Sequence, residues 1–208
     1  MTQHDPAPRR TQQSRRENTV AKLIEGTIEA IGDVGYARTT IQEITRRAGL
    51  SHGGLFRHFD TRLDVIVAAA EEAGHRQVRE VTSRLTGATV DLTDVGSIVQ
   101  LLQLLRSATR SPTSAVWYEL VVAARTDDEL RIRLAPTVER YGAEIAAAAL
   151  SIPVRKELTE HTRLGLLFTA LSTFDGEAIF APVFLPAELA EQRLRLLAEF
   201  IRHIAATS

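Results

Sequence analysis

The chain has 208 residues, of which 44% are hydrophobic and 25% charged, and its net charge is −1, a balance that is ordinary for a soluble globular protein. It contains no cysteine, which excludes disulfides, thiolate metal sites and a thiol nucleophile, and no apolar run approaches the roughly 20 residues of a membrane-spanning helix. Together with a polar N-terminus, this predicts a cytoplasmic protein without cofactor or metal.

The charge is distributed unevenly along the chain. Residues 1–62 contain ten Lys or Arg against seven Asp or Glu, a net charge of +3, whereas the rest has 15 against 19, a net charge of −4. A basic first third is what local binding of phosphates needs, and a basic disordered tail is the alternative explanation.

Residues 1–14 are polar and contain two prolines, which is typical of a flexible arm. After them, nearly every segment has helical periodicity and none alternates as a strand does, so the sequence predicts an all-α fold. The first helix should end at Gly35, where a left-handed cap is favoured. Its apolar face consists of Val20, Leu23, Ile24, Ile28, Ile31 and Val34.

Capping residues predict the next three helices. Thr40-Ile41-Gln42-Glu43 has the pattern of a capping box, and Gly49 should end the helix that it opens. Ser51 can cap a short helix that runs to about Phe56, and Thr61 can cap a long helix that runs to about Arg84.

Five further helices are expected near 94–109, 112–124, 127–150, 157–180 and 186–206. Pro136 lies inside one of these patterns and should kink or split that helix. We therefore predict a flexible arm (1–14), an N-terminal three-helix domain (15–62) and a larger C-terminal helical domain (63–208).

The segment Thr40–Phe59 has the layout of a helix-turn-helix, with Ala48-Gly49-Leu50 between two short helices. Gly49 can adopt the positive φ that the turn requires. Gly53 and Gly54 lower helix stability by roughly 1 kcal/mol each relative to alanine. A surface that closely approaches DNA explains that loss, whereas a purely structural helix does not.

The outward positions around this motif suit DNA recognition. Ser51 and His52 would face the major groove, and Arg57 can reach a base or a phosphate. Thr40 and Arg62 lie at helix N-termini, where backbone N–H groups favour phosphate. The alternatives are a solvated His52, a packed His58 and a core Phe56, and Arg46 and Arg47 are more typical of a solvated face.

Across residues 17–65 the chain resembles the TetR (tetracycline-repressor-like) family of transcription regulators. The matching residues are Gly35-Tyr36, Thr39-Thr40-Ile41, Ile44-Thr45, Ala48-Gly49-Leu50-Ser51, Gly54-Leu55-Phe56, His58-Phe59 and Arg62. The resemblance implies that DNA is contacted by Thr40, Ser51, His52, Gly54, Phe56, His58 and Arg62; the residue-level argument adds Gly53 and Arg57. Relatives often have lysine at 52 and tyrosine at 56, so affinity or operator preference should differ here.

Other functional classes are less well supported. An enzyme would use His52, His58, Asp60 and Asp64 as metal ligands, but they do not cluster on one face, so we predict no enzymatic activity. A helical ligand-binding or scaffolding protein that never touches DNA is disfavoured by the basic N-terminal third and the paired glycines.

The last helix has an apolar arc of roughly 160°, wider than the ~100° stripe that one core needs. Its first stripe is Ala190, Leu194, Leu197, Ile201 and Ile204, and its second is Leu189, Leu196 and Phe200. The preceding helix is similarly apolar. We therefore predict a homodimer through the last two helices, which would read a palindromic operator. The alternative is a helix buried within one protomer.

The resemblance implies that the C-terminal domain holds a small-molecule effector that releases the repressor from its operator. Aromatic residues with a few polar groups suit such a ligand. The candidates for ligand binding are Trp117, Tyr118, Phe168, Phe174 and Asp175. Each is also a candidate for the core, and activation instead of repression stays open.

Overall fold

The computed structural model describes residues 8–87, 89–155, 158–184 and 186–207, and over these residues the predicted all-α fold is confirmed. A short 3-10 helix, Tyr36–Arg38, follows the first α-helix, and the β-structure of the described residues is one isolated bridge, Val90–Val154. The α-helices of the described chain are α1 Pro8–Val34, α2 Ile41–Ala48, α3 His52–Leu55, α4 Arg62–Leu85, α5 Val95–Thr109, α6 Pro112–Ala123, α7 Asp128–Ser151, α8 Glu160–Phe180 and α9 Ala187–Thr207.

The chain forms two compact units. The first comprises the residues up to Glu72 together with Glu119–Leu134, and the second comprises Ala73–Tyr118 and the residues from Ala135 onward. Three helices, α4, α6 and α7, each contribute residues to both units. The unit that contains the predicted helix-turn-helix therefore also includes the start of α4 and the connection from α6 to α7.

The predicted helix starts in the first unit are confirmed by side-chain caps. The Thr40 hydroxyl accepts a hydrogen bond from the Glu43 amide, and the Ser51 hydroxyl accepts one from the Gly54 amide. Thr61 and Asp64 cap α4 reciprocally, since each backbone amide donates to the other's side chain at 2.8 and 3.2 Å. These caps satisfy amides that have no partner within the helix.

Three features differ from the sequence-based expectations. Residues 8–14, predicted as part of an arm, belong to α1, which begins with Pro8 where a missing amide is harmless; residues 1–7 lie outside the described residues. α7 runs unbroken through Pro136, because Pro136 and Ile132 are exposed and the carbonyl that loses its partner can be hydrated. α8 begins at Glu160 because Thr159 caps it.

The hydrophobic core of the first unit joins α1, α2, α3 and α4. Leu23, Ile44, Leu55 and Val65 are all fully buried there. Gly26 brings α1 close to α2, since a Cβ at this position would lie 2.9 Å from the Ala48 amide nitrogen. The sequence pattern does not reveal this contact, because a glycine within a helix has no side chain to mark it.

The core of the second unit is built mainly from α5, α8 and α9. Beside it, the fully buried Glu177 carboxylate accepts hydrogen bonds from Arg106 and Arg110, and Arg106 also pairs with Glu191 at 2.7 Å. This acid is thus satisfied within the protomer. None of the described helices combines the length and the apolar stretch that crossing a bilayer requires.

Candidate DNA-binding surface and ligand cavity

The second helix of the helix-turn-helix, α3, has one buried side and one open side. Gly49 ends α2 in the left-handed conformation at φ 65°, as the turn requires. Leu55 then points into the core with no exposed surface, while His52, Gly53 and Arg57 are exposed. The local sequence therefore exposes a short polar edge of α3 to solvent, while the opposite side of the helix packs fully into the core.

The predicted DNA-contacting residues share this part of the surface to different degrees. Phe56 is 52% exposed, so the alternative that it belongs to the core is wrong. A Cβ at Gly53 would meet nothing within 4 Å, which leaves this backbone open to a close neighbour. The exposed members of the set are Thr40, Ser51, His52, Gly53, Phe56 and Arg57, and the partly buried ones are Gly54, His58 and Arg62.

Basic side chains near α3 differ in whether the protein already engages them. Glu43 accepts hydrogen bonds from both Arg46 and Arg47, which lower the pKa of its carboxyl to about 2. Arg47 also pairs with Asp33 at 2.5 Å. Arg57, in contrast, is exposed and has no ion pair with a described residue. Arg57 is thus the basic residue beside α3 that is most available to phosphate.

His58 and Arg62 are both partly buried, but of the two side chains it is Arg62 that bonds to described residues. The Nδ1 atom of His58 is buried and has no hydrogen-bond partner among the described residues. The Arg62 guanidinium donates to the carbonyl oxygens of Tyr36 and Thr39 and lies 4.5 Å from the centre of the Tyr36 ring. These contacts make Arg62 a positioning residue for the chain before α2, and its contact with DNA stays a prediction.

Tyr36 connects the helix-turn-helix to a distant part of the chain. Its amide donates to Glu119 Oε1 at 2.8 Å, and its hydroxyl donates to Asp127 Oδ2 at 2.7 Å. Burial, followed by the bond to Asp127, raises the pKa of the Tyr36 hydroxyl. Arg133 pairs with Asp64 in the same unit. The sequence pattern does not reveal this network, because its partners are up to 91 residues apart.

Comparison with known proteins identifies the chain. The sequence model of the bacterial regulatory proteins of the tetR family matches residues 23–69. An uncharacterised HTH-type transcriptional regulator of Mycobacterium bovis is 41% identical over 188 residues, which cover 90% of this chain and 95% of that protein. The chain belongs to the tetR family.

More distant proteins resemble this chain in sequence or in fold. The HTH-type transcriptional regulator CymR of Pseudomonas putida is 27% identical over 82% of this chain and 83% of its own length. The fold is similar to that of the multidrug binding protein EbrR complexed with ethidium, with a TM-score of 0.63, 21% identity and coverage of 95% and 99%. A regulator from Mesorhizobium loti has a TM-score of 0.67 at 17% identity, with coverage of 93% and 97%.

The second unit of this tetR-family protein contains two adjoining apolar cavities. The first, between α4, α5, α7 and α8, has a cavity volume of about 60 Å³, and the second has one of about 90 Å³. Leu105, Ala149, Ile152 and Leu167 line both cavities, so the two spaces share one wall. Both linings suit an apolar group, and both volumes are well below the roughly 300–1,000 Å³ of ordinary ligand pockets, so a drug-sized ligand would enter only if the surrounding helices moved apart.

One end of the first cavity carries polar groups. Tyr141 lines the cavity and donates from its hydroxyl to Gln77 Oε1 at 2.6 Å. Behind Thr109, another lining residue, the Tyr118 hydroxyl lies 2.8 Å from Asp175 Oδ1 and 3.1 Å from the Thr109 carbonyl oxygen. Burial raises the pKa of Asp175 and of both tyrosines.

The predicted ligand-binding residues fall into two groups. Trp117 contacts the Tyr141 ring with centroids 4.6 Å apart, and Tyr118 and Asp175 are hydrogen-bonded beside it. None of the five predicted residues lines either cavity: Trp117, Tyr118 and Asp175 lie beside Tyr141 or Thr109, which line the first one, whereas Phe174 is 1% exposed in the core and Phe168 is 42% exposed on α8. The apolar pattern of a helix does not distinguish these environments. Tyr141, which is not among the predicted residues, lines the first cavity.

No cluster of three or more His, Asp or Glu side chains suited to a metal ion occurs among the described residues.

Proposed function

We propose that this tetR-family regulator is a ligand-responsive repressor, which binds a palindromic operator as a homodimer and leaves it when a small molecule enters the second unit. The observation that supports DNA binding most directly is the open edge of α3, where exposed polar and glycine residues stand on a buried Leu55. An edge of this kind can enter a major groove without repacking its own core.

The proposed DNA contacts have distinct chemistry. His52 and Ser51, at the start of α3, would meet base edges, while Arg57 would neutralise a phosphate. Gly53 and Gly54 would let the α3 backbone approach the groove, and the Phe56 ring would pack against the DNA backbone. We assign Thr40, His58 and Arg62 to the margins of this surface.

The proposed homodimer rests on apolar surface that one protomer leaves open. One stripe of α9 is buried, whereas Leu196 is 62% and Phe200 49% exposed, so the alternative that α9 is fully buried within one protomer is wrong. On α8, Phe168 borders a shallow groove formed by Gly165, Thr169, Ser172 and Thr173. Small residues beside large exposed ones favour close packing of a second copy across a twofold axis.

Operator release requires coupling between ligand and DNA sites. Both the start of α7 and the end of α6 belong to the first unit, where Glu119 and Asp127 hold Tyr36. The same helices continue into the second unit, whose cavities α7 lines. A ligand that changes the course of α4, α6 or α7 would therefore also shift the 3-10 helix before α2, which contains Tyr36.

The experiment is a titration of the purified chain against DNA fragments that flank its own gene, at several salt concentrations. We expect salt-dependent binding at a site with twofold symmetry, with a stoichiometry of one dimer per site. Arg57→Ala should weaken binding and reduce the salt slope by about one. The matched control Arg46→Ala, which removes an arginine already paired with Glu43, should have a smaller effect.

Effector release is tested on the same complex with a panel of apolar small molecules. A compound that fills the cavity should lower operator affinity, and the loss should be reciprocal, since DNA then weakens the binding of that compound equally. If the chain binds none of the neighbouring DNA fragments at low salt, the proposed DNA-binding function is wrong. Cavity binding that leaves operator affinity unchanged would overturn the ligand-responsive part alone.

A further inference from the structure

Asp175 on α8 is a partly buried acid with few hydrogen bonds and no positively charged partner among the described residues. Its one hydrogen-bond partner among the described residues is the Tyr118 hydroxyl, which has a single proton and also lies 3.1 Å from the Thr109 carbonyl oxygen. No described arginine, lysine or histidine pairs with this carboxylate. Removing a charge from water without a counter-ion is unfavourable. The described residues supply no positive partner that would offset this cost at Asp175.

Glu177, two residues further along α8, shows how this fold treats a structural buried acid. Its carboxylate receives hydrogen bonds from both Arg106 and Arg110. Since the two acids are on the same helix, the missing cation at Asp175 is not explained by a general shortage of arginine. Two arginines of the chain neutralise Glu177, whereas a positive charge for Asp175 would have to come from a bound molecule.

Aromatic rings stand beside this acid. The Trp117 and Tyr141 rings are tilted by 55° with their centroids 4.6 Å apart, and Tyr118 carries the hydroxyl that touches Asp175. Gly74 lets α4 approach the Tyr141 ring, since a Cβ there would lie 3.0 Å from Cδ2. Ring faces attract cations, and a carboxylate among rings is the chemistry that selects organic ammonium groups.

The space next to these groups defines the rest of the ligand. Leu171, one helical turn before Asp175, lines the first cavity together with Thr109 and Tyr141. The wall that continues from there consists mainly of leucine, isoleucine, valine and alanine. We propose that the effector is an apolar organic cation, with its charge at Asp175 and the Trp117–Tyr141 rings and its apolar body in the cavity. This inference rests on the ligand-binding role proposed above.

An anionic ligand fits the same space poorly. Its charge would repel Asp175 at one end, and among the described residues Arg163 is the one charged side chain that lines either cavity. The Arg163 guanidinium already donates to the carbonyl oxygens of Ala149 and Ile152 at the end of α7, at 2.7 and 2.8 Å. Binding an anion there would compete with that helix cap.

The test compares two probes of the same shape on the full chain. One is (1-naphthylmethyl)trimethylammonium, and the other is its uncharged isostere in which carbon replaces the quaternary nitrogen. Naphthalene fluorescence gives both dissociation constants. We expect the cation to bind at least about tenfold more tightly than the isostere. This comparison needs no variant, so it stays decisive even if a substitution impairs folding.

Variants then locate the charge. Asp175→Asn keeps an acceptor for Tyr118 and should weaken binding of the cation about tenfold while leaving the isostere within about twofold. The matched control, Glu160→Gln, removes a negative charge from the exposed start of the same helix and should change neither constant.

Equal binding of the two probes, an equal loss of both in Asp175→Asn, or no binding of either would overturn the inference. These outcomes are separable from those that test the proposed function. If the isostere and the cation bind equally tightly and the isostere releases the operator, the ligand-responsive repressor is supported and the selectivity for a cation is wrong. If the cation binds through Asp175 without releasing the operator, the selectivity stands and the effector mechanism falls.

Discussion

At Gly35 two independent constraints require the absence of a side chain. Its backbone has φ 80° and ψ 165°, a region that is essentially limited to glycine. A Cβ there would also lie 2.8 Å from Glu119 Oε1, the atom that receives the Tyr36 amide. The sequence predicts a helix-ending glycine at this position, since that role is local, but not the contact with Glu119.

Replacing this glycine should therefore destabilise the first unit. We expect Gly35→Ala to lower the free energy of unfolding by about 1–3 kcal/mol in urea denaturation. The matched control is Gly32→Ala, because a Cβ at this exposed position of α1 meets nothing within 4 Å. That variant should gain up to about 1 kcal/mol from helix propensity. Equal stabilities of the two variants would contradict the role of Gly35.

Asp175 gives stability a characteristic pH dependence. Burial, opposed by the bond from Tyr118, raises the pKa of its carboxyl in the folded protein. The protonated acid is then favoured by folding, so this contribution is complete below the unfolded pKa of about 3.9 and is lost as the pH rises through the folded pKa. An asparagine at this position never ionises and keeps its contribution at all pH values.

Asp175→Asn should consequently unfold at a higher temperature than the unmodified protein near pH 7, and the difference should close as the pH falls toward about 4. Scanning calorimetry without ligand, at a series of pH values, measures this difference. Glu160→Gln serves as the control for removing one negative charge from an exposed position of the same helix. A difference between Asp175→Asn and the unmodified protein that stays constant with pH would contradict the role of burial.

A helix boundary is predicted correctly from the sequence when the interaction that fixes it is local, and less accurately when it depends on distant residues. The starts of α2 and α3 are predicted correctly because Thr40 and Ser51 bond to amides three residues away. The unbroken course of α7 was not predictable from Pro136 alone, since it depends on which side of the helix faces water. The separation of Phe174 from Phe168 likewise depends on packing against other helices.

The element α3 offers a test that separates folding from recognition. Gly53 is exposed and open, so Gly53→Ala should leave the fold intact and stabilise it by up to about 1 kcal/mol. The added methyl group should nevertheless hold the helix away from the groove and weaken operator binding. Gly142→Ala, a similarly open position in α7, should gain the same stability without changing operator affinity. Undiminished DNA binding by Gly53→Ala would contradict close approach of α3.

For the whole molecule, the property that decides the proposed operator recognition is the number of copies of α3 in one particle. A single α3 of four residues offers few contacts, whereas a twofold pair reads both halves of an operator at once. The apolar side chains that remain open on α8 and α9 are the means proposed for that pairing. Their exposure could not be inferred from periodicity alone, since a wide apolar arc is equally compatible with complete burial.

The proposed pairing predicts that a charged α9 surface yields a folded monomer. Leu196→Glu combined with Phe200→Glu places two charges on side chains that are 62% and 49% exposed in the protomer, so the protomer core should be unaffected. Sedimentation should show a monomer, and operator affinity should fall by at least about tenfold because the two halves are no longer linked. Ile132→Glu on α7, 70% exposed, is the control and should remain dimeric. If the doubly substituted chain still sediments as a dimer, pairing must use another surface, and the apolar stripe of α9 then has a different partner.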